Sequence, residues 1–223
     1  MVFILFIWNK ASKLLSKKKK LITIEKIVKH FPFTEENSLK EWEEKILKGK
    51  VVYKIEKDDT IESYVRAKSE RTASALYYKT KLHIRKNPII SWKWHVDEFP
   101  KRTLPEQIDL KKEEDFAARI YVIFPAVFFT NSKVIEYIWA EQLPVGTSGI
   151  SAYSKNIKIL VLRSGKYNEK WLFEKRDVYQ DYVKLFGEEP RLNIGAIAFM
   201  TDADSTKTKA SAVYDEIKIG YKE

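Results

Sequence analysis

The chain has 223 residues, 44% of them hydrophobic and 32% charged, so it can bury a core and is too apolar to be disordered as a whole. Its formal net charge of +10 favours anionic partners by long-range attraction, although a solvated lysine-rich surface accounts for such a balance equally well. With no cysteine, disulfides, thiol nucleophiles and cysteine-based zinc sites are excluded.

The first eight residues, from Met1 to Trp8, are almost wholly apolar but too few to span a bilayer, which takes about 20 residues as a helix. Their positive charge, at Lys10, Lys13 and the four lysines 17–20, follows the apolar stretch, whereas a secretory signal carries its charge before it. Residues 1–20 are therefore expected to be a tail, either the remnant of an export signal or a membrane-surface anchor with a polybasic flank. A single domain is expected over 21–223.

A short helix is expected over 21–33, with Ile24, Ile27 and Val28 on one side and Pro32 as its stop. Ser38 and Glu41 have the spacing of a capping box, which predicts a second helix with Leu39, Trp42 and Ile46 as its apolar stripe and Gly49 as its end. A hairpin follows around Asp58-Asp59, joining 50–56 to 63–68, and strands over 74–79 and 81–85 lead through Asn87-Pro88 to the next segment.

That segment, Ile90-Ser91-Trp92-Lys93-Trp94-His95-Val96-Asp97, alternates with period two. Ile90, Trp92, Trp94 and Val96 share one face, and Lys93, His95 and Asp97 the other. In the strand expected over 115–124, Phe116, Ala118, Ile120, Val122 and Phe124 oppose Asp115, Arg119 and Tyr121, and Pro125 marks its end or a bulge. Strands are expected over 136–140 and 157–163, and a strand over 171–176 that runs into a helix at Asp177, with Gln180 completing the cap and Gly187 and Pro190 terminating it. A strand over 194–200, a turn over 201–206 and a strand over 211–221 close the chain. Many short strands with two or three short helices predict an all-β, jelly-roll-like two-layer β-sandwich.

The ordered blocks Ser91-Trp92-Lys93-Trp94-His95-Val96, Asp115-Phe116-Ala117-Ala118-Arg119-Ile120-Tyr121-Val122, Tyr137-Ile138-Trp139-Ala140, Leu162-Arg163-Ser164-Gly165, Trp171 with Glu174-Lys175-Arg176-Asp177-Val178, and Ile197-Ala198-Phe199-Met200-Thr201-Asp202-Ala203-Asp204 resemble a bacterial family known as domain of unknown function 3047. The resemblance runs from about Phe33 to Ile219 and departs from the family pattern at Lys93 and His95, where arginine is expected. The strand pattern, with Trp42, Val52-Tyr53 and the closing Tyr214-Asp215-Glu216-Ile217-Lys218-Ile219, is in turn similar to galactose-binding-like jelly rolls of carbohydrate-binding modules. That likeness implies a saccharide ligand and, through Asp215, a structural calcium ion.

Three scattered histidines, His30, His83 and His95, lack metal-ligand spacing, and no serine sits in a nucleophile elbow, so zinc hydrolysis and a serine triad are unsupported. Asp202-Ala203-Asp204 resembles part of a calcium loop but lacks the glycine of an EF-hand, and the same residue types favour simple turns. Metal candidates are therefore Asp202, Asp204 and Asp215. The ligand-binding candidates are Lys93, His95, Asp115, Arg119 and Arg163, with Tyr121, Tyr137 and Trp139 as the rings against which a sugar stacks.

The expected function is non-catalytic binding of a saccharide or other ligand of the cell envelope on the polar face of the sandwich. Two alternatives stay open: a glycan-acting hydrolase using a carboxylate pair drawn from Asp115, Glu136, Glu174 and Asp202, and a scaffolding envelope protein without a small ligand. An exported or membrane-associated location is favoured over a cytoplasmic one. Nucleic acid is disfavoured, because the densest basic run lies in the tail rather than among exposed rings.

Overall fold

A computed structural model describes residues 26–59 and 62–222, and the expected tail over 1–20 lies outside the described residues. The strands are β1 Lys26–Phe31, β2 Glu43–Lys48, β3 Val52–Lys57, β4 Ser63–Glu70, β5 Ala73–Leu82, β6 Pro88–Glu98 and β7 Ala118–Phe124. They continue as β8 Lys133–Ala140, β9 Ser148–Ser151, β10 Ser154–Ser164, β11 Leu172–Asp177, β12 Ile194–Asp202 and β13 Lys209–Tyr221, with one α-helix among the described residues, α1 Val178–Phe186. Short 3₁₀ turns over Glu36–Leu39, Ile84–Lys86 and Phe129–Asn131 complete the elements.

Sheet I has the order β11-β6-β13-β4-β3, with β1 also paired to β13; sheet II has the order β2-β5-β12-β7-β8-β10-β9. All pairs are antiparallel except β8 with β10. Period-two alternation in β6 and β7 turns Trp92, Trp94, Ile120, Val122 and Phe124 inward, where each is buried. Trp92 packs on Tyr137 at 5.6 Å and Trp94 on Trp139 at 5.7 Å across the gap between the sheets. Full burial of rings of this size contributes roughly 1.5–3 kcal/mol each. Tyr214 of β13 reaches across the core, donating to the Met200 carbonyl at 2.6 Å and accepting from the Arg119 amide at 3.2 Å, so one phenol ties the two sheets together.

Two expected helices are strands or turns instead. Residues 26–31 form β1, because the otherwise open edge of β13 takes up their amides. After the turn over Glu36–Leu39, with Glu35 rather than Ser38 at its start, residues 43–48 pair with β5 as β2. Trp42 does not lie on a helical stripe. It enters an aromatic cluster with Phe31 at 4.7 Å and Phe199 at 4.8 Å, while Ile46 is exposed. Tertiary pairing overrides the local capping signal here. The third expected helix is α1: Asp177 accepts from the Gln180 amide at 3.1 Å, and Gly187 closes it in the left-handed conformation at φ 68°.

Candidate functional site

Both sheets have an outer face, and each is partly covered by a connection. On sheet II, the connection between β6 and β7 folds back over β8 and β10, packing Ile108 and Phe116 against Ile138, Ala140, Ile159 and Val161. Arg102 pins it by donating to the Glu113 and Asp115 carbonyls, and the Glu106 carboxylate accepts the amides of Glu141, Gln142 and Leu143 at 2.7–3.2 Å. Arg119 is buried beneath this cover. Its guanidinium reaches Glu136 and Asp202, each at 2.9 Å, donates to the Tyr121 hydroxyl at 3.2 Å and to the Glu114 carbonyl, and lies over the Phe116 ring. Burial pushes the Glu136 carboxyl up to about 7 against the opposing pull of Arg119, and raises Asp202 for the same reason.

Asp115, in the β6–β7 connection just before β7, accepts the amides of Ser205 and Thr206 at 3.1 and 2.6 Å, fixing the β12–β13 turn. Asp115, Asp202 and Asp204 thereby bring carboxylate oxygens within 4.8 Å of one another. Three such carboxylates could coordinate a divalent cation such as calcium, a hard ion that takes oxygen ligands.

On sheet I, Phe173 of β11, Lys93 of β6 and Asp215 of β13 stand side by side on the outer face, and Tyr64 of β4, just past the last β13–β4 pair, stands beside Glu56 of β3. The next row is His95, Val213, Arg66 and Lys54. Trp171, immediately before β11, meets Tyr64 edge-on at 5.5 Å. Because β6 and β13 lie between β11 and β4, these two rings bridge the face, and Asp215 and Val213 are buried. The indole Nε1 of Trp171 and the Oδ1 of Asp215 are buried without a protein hydrogen-bond partner. Burial raises the Asp215 carboxyl to about 7, with a hydrogen bond from the Glu216 amide and the charge of Lys93 opposing the shift. Phe173 remains 56% exposed.

Arg66 donates to Glu56 at 2.6 Å, pairs with Asp97 and lies over the Tyr64 ring. Arg66 and Asp97 also line an adjoining open cleft of about 770 Å³, together with Lys50, Val52, Lys68 and Ser211.

The sequence-predicted site residues do not form one patch. Asp115, Arg119 and Tyr121 meet on sheet II, whereas Lys93 and His95 belong to sheet I, with the core between them. The expected ring platform is corrected at two positions: Tyr137 and Trp139 share parity with Ile135, point between the sheets and are fully buried. The Tyr137 hydroxyl donates to Asp181 at 2.7 Å, and the Trp139 indole donates to the Gly165 carbonyl at 2.8 Å. Arg163 of β10 pairs with Glu174 of β11, linking sheet II to the edge strand of sheet I. Of the metal candidates, Asp202 and Asp204 converge with Asp115, while Asp215 lies on the opposite sheet. Trp171, Tyr64 and Phe173 were not among the predicted residues. Alternation marks Phe173 as opposite to Glu174, but nothing in the sequence shows that Trp171 folds across to β4.

The family model described as "Protein of unknown function (DUF3047)" matches residues 40–218. No curated protein matches the chain. Among solved structures, the family 11 carbohydrate-binding module of the cellulosomal cellulase Lic26A-Cel5E of Clostridium thermocellum is 12% identical, covering 81% of this chain and 88% of its own at a TM-score of 0.43. Endoglucanase cel12A of Rhodothermus marinus is 9% identical over 80% of this chain and 95% of its own, with a TM-score of 0.46. The xyloglucanase domain of NopAA from Sinorhizobium fredii is 9% identical over 81% of this chain and 93% of its own, with a TM-score of 0.45. At such identities and scores no residue role is carried over from these proteins.

Proposed function

For this chain, which belongs to the DUF3047 family, we propose saccharide binding on the outer face of sheet I, centred on Trp171, Tyr64, Phe173, Lys93 and Asp215. The observation that carries the reading is a pair of buried polar atoms, Trp171 Nε1 and Asp215 Oδ1, without protein partners beside partly exposed rings. Buried polar groups are rarely left unpaired. A donor and an acceptor next to aromatic surface suit a pyranose, whose hydroxyls bond such atoms while its C–H face stacks on a ring. Lys93, Arg66 and Asp97 supply further charged groups along the same face, and Arg66 and Asp97 also line the adjoining cleft. Affinity electrophoresis through gels containing each of a panel of soluble polysaccharides tests it. Native protein is expected to be retarded by at least one, and Phe173→Ala, which removes an exposed ring, is expected to run free in the same gel. Equal retardation of both would refute this assignment of the face.

A second reading, a glycan hydrolase, is favoured by one observation: Arg119 holds the Glu136 and Asp202 carboxylates on its two arms, and Glu136 is raised to about 7, where a general acid works at neutral pH. Against it, the guanidinium occupies the space between the carboxylates and both lie buried on the sheet face beneath the β6–β7 connection. Release of reducing ends from a retarded polysaccharide, abolished in Glu136→Gln with retardation intact, would put this reading first.

A further inference from the structure

Val127 and Phe128, at the tip of the β7–β8 connection, are 98% and 72% exposed. Adjacent apolar side chains held in water at a loop tip contribute nothing to the core and mark a contact surface. The end of the sandwich that bears them can be followed through its contacts. Gly195 lies so tightly against Pro125 that a side chain there would collide with the proline ring. Asn193 accepts the Ile84 amide at 3.2 Å, the Tyr221 hydroxyl accepts the His83 amide at 3.0 Å, and Tyr221 pairs with Lys26 at the start of β1. Residues 1–25, with their apolar first eight residues and the lysines 17–20, therefore join the fold at the same end as Val127 and Phe128. Ile27 and Val28, next along β1, are about half exposed as well.

The charge here is strongly basic. Lys26, Lys81, Arg85, Lys86 and Arg191 are exposed, against Asp177, which caps α1, Glu188, which pairs with Lys133, and Glu189, which accepts from the Tyr179 hydroxyl. We propose that this end of the sandwich docks on an anionic phospholipid surface, with Val127 and Phe128 entering the head-group boundary and the surrounding cations facing the lipid phosphates. Two apolar points from separate parts of the chain within a basic rim fit a planar interface, where insertion and head-group attraction act together. No helix among the described residues is long and apolar enough to cross a membrane.

The chain has no cysteine, so a single Val127→Cys substitution in the full-length protein gives one labelling position for an environment-sensitive fluorophore. Glu70→Cys, at the far end of β4, is the control. Mixed with vesicles of equal parts phosphatidylglycerol and phosphatidylcholine, the label at 127 is expected to shift to the blue while the label at 70 does not. The shift is expected to weaken with phosphatidylcholine alone and at about 0.5 M salt. Phe128→Ser is expected to lower vesicle partitioning about tenfold. Failure to sediment with either vesicle would overturn the proposal. So would sedimentation with the label at 127 still in water, since residues 1–25 would then bind alone. A concentration-dependent shift without lipid would assign the surface to a second copy of the chain instead.

Discussion

The carboxyl of Asp215 offers a measurement of how dry the sheet I face is. The residue is 5% exposed, its Oδ1 has no protein partner, and burial raises it from the ordinary value of 3.8 to about 7. Between those values the folded chain keeps a proton that the unfolded chain has released, so stability falls as pH rises. This contribution is fully present below about pH 4 and lost above about pH 7. At about 1.4 kcal/mol per pH unit, the rise from 3.8 to about 7 sets a ceiling of roughly 4 kcal/mol. Half-buried Lys93 lets solvent reach the rim, so about 2 kcal/mol is the expected size. Asp215→Asn removes the titration and keeps the shape. Its melting temperature should match the native protein near pH 4 and exceed it by about 5 °C near pH 8.5, at roughly 2–4 °C per kcal/mol. Glu136 also titrates near 7 but is present in both proteins and cancels in the comparison. A difference independent of pH, or a native protein that is the more stable near pH 8.5, would refute the reasoning by showing that the Glu216 amide and Lys93 together compensate the charge.

Calcium is expected to raise the melting temperature through binding to the folded state, and Asp204→Asn, the least buried of the three carboxylates, should abolish the effect; no response to calcium or chelator would leave these residues as turn caps. Arg119→Met should cost about 3–5 kcal/mol in chemical denaturation, because Glu136 and Asp202 lose a buried counter-charge. Tyr137→Phe, which deletes a buried bond to Asp181, should cost about 1.5–3 kcal/mol by the same measurement.

Much of the fold was legible because alternation in 90–97 and 118–124, and the cap at Asp177 with its stop at Gly187, are local signals that the tertiary structure obeys; Phe116, expected on the apolar face with Ile120, instead lies before β7 and packs on the outer side of sheet II against Arg119. β1 and β2 were not, since their backbones are claimed by the edges of β13 and β5, partners distant in sequence. Parity correctly turned Lys93 away from Trp92, and Arg119 away from Ile120. It did not reveal that β6 and β7 belong to different sheets, which places those two side chains on opposite sides of the molecule. The same limit hid the burial of Tyr137 and Trp139: period two says which residues share a face, and only the packing of the second sheet says which face is wet. Trp171 lay beyond reach for a related reason, as its contact with Tyr64 spans the width of four strands.

The most direct test of saccharide binding on sheet I is a glycan array probed in parallel with native protein, Trp171→Ala and Tyr121→Phe, all verified as folded. The account predicts that the native protein and Tyr121→Phe, altered only on sheet II, bind the same glycans, and that Trp171→Ala loses them. Binding that survives in Trp171→Ala but disappears in Tyr121→Phe, or no glycan bound by the native protein, would contradict it.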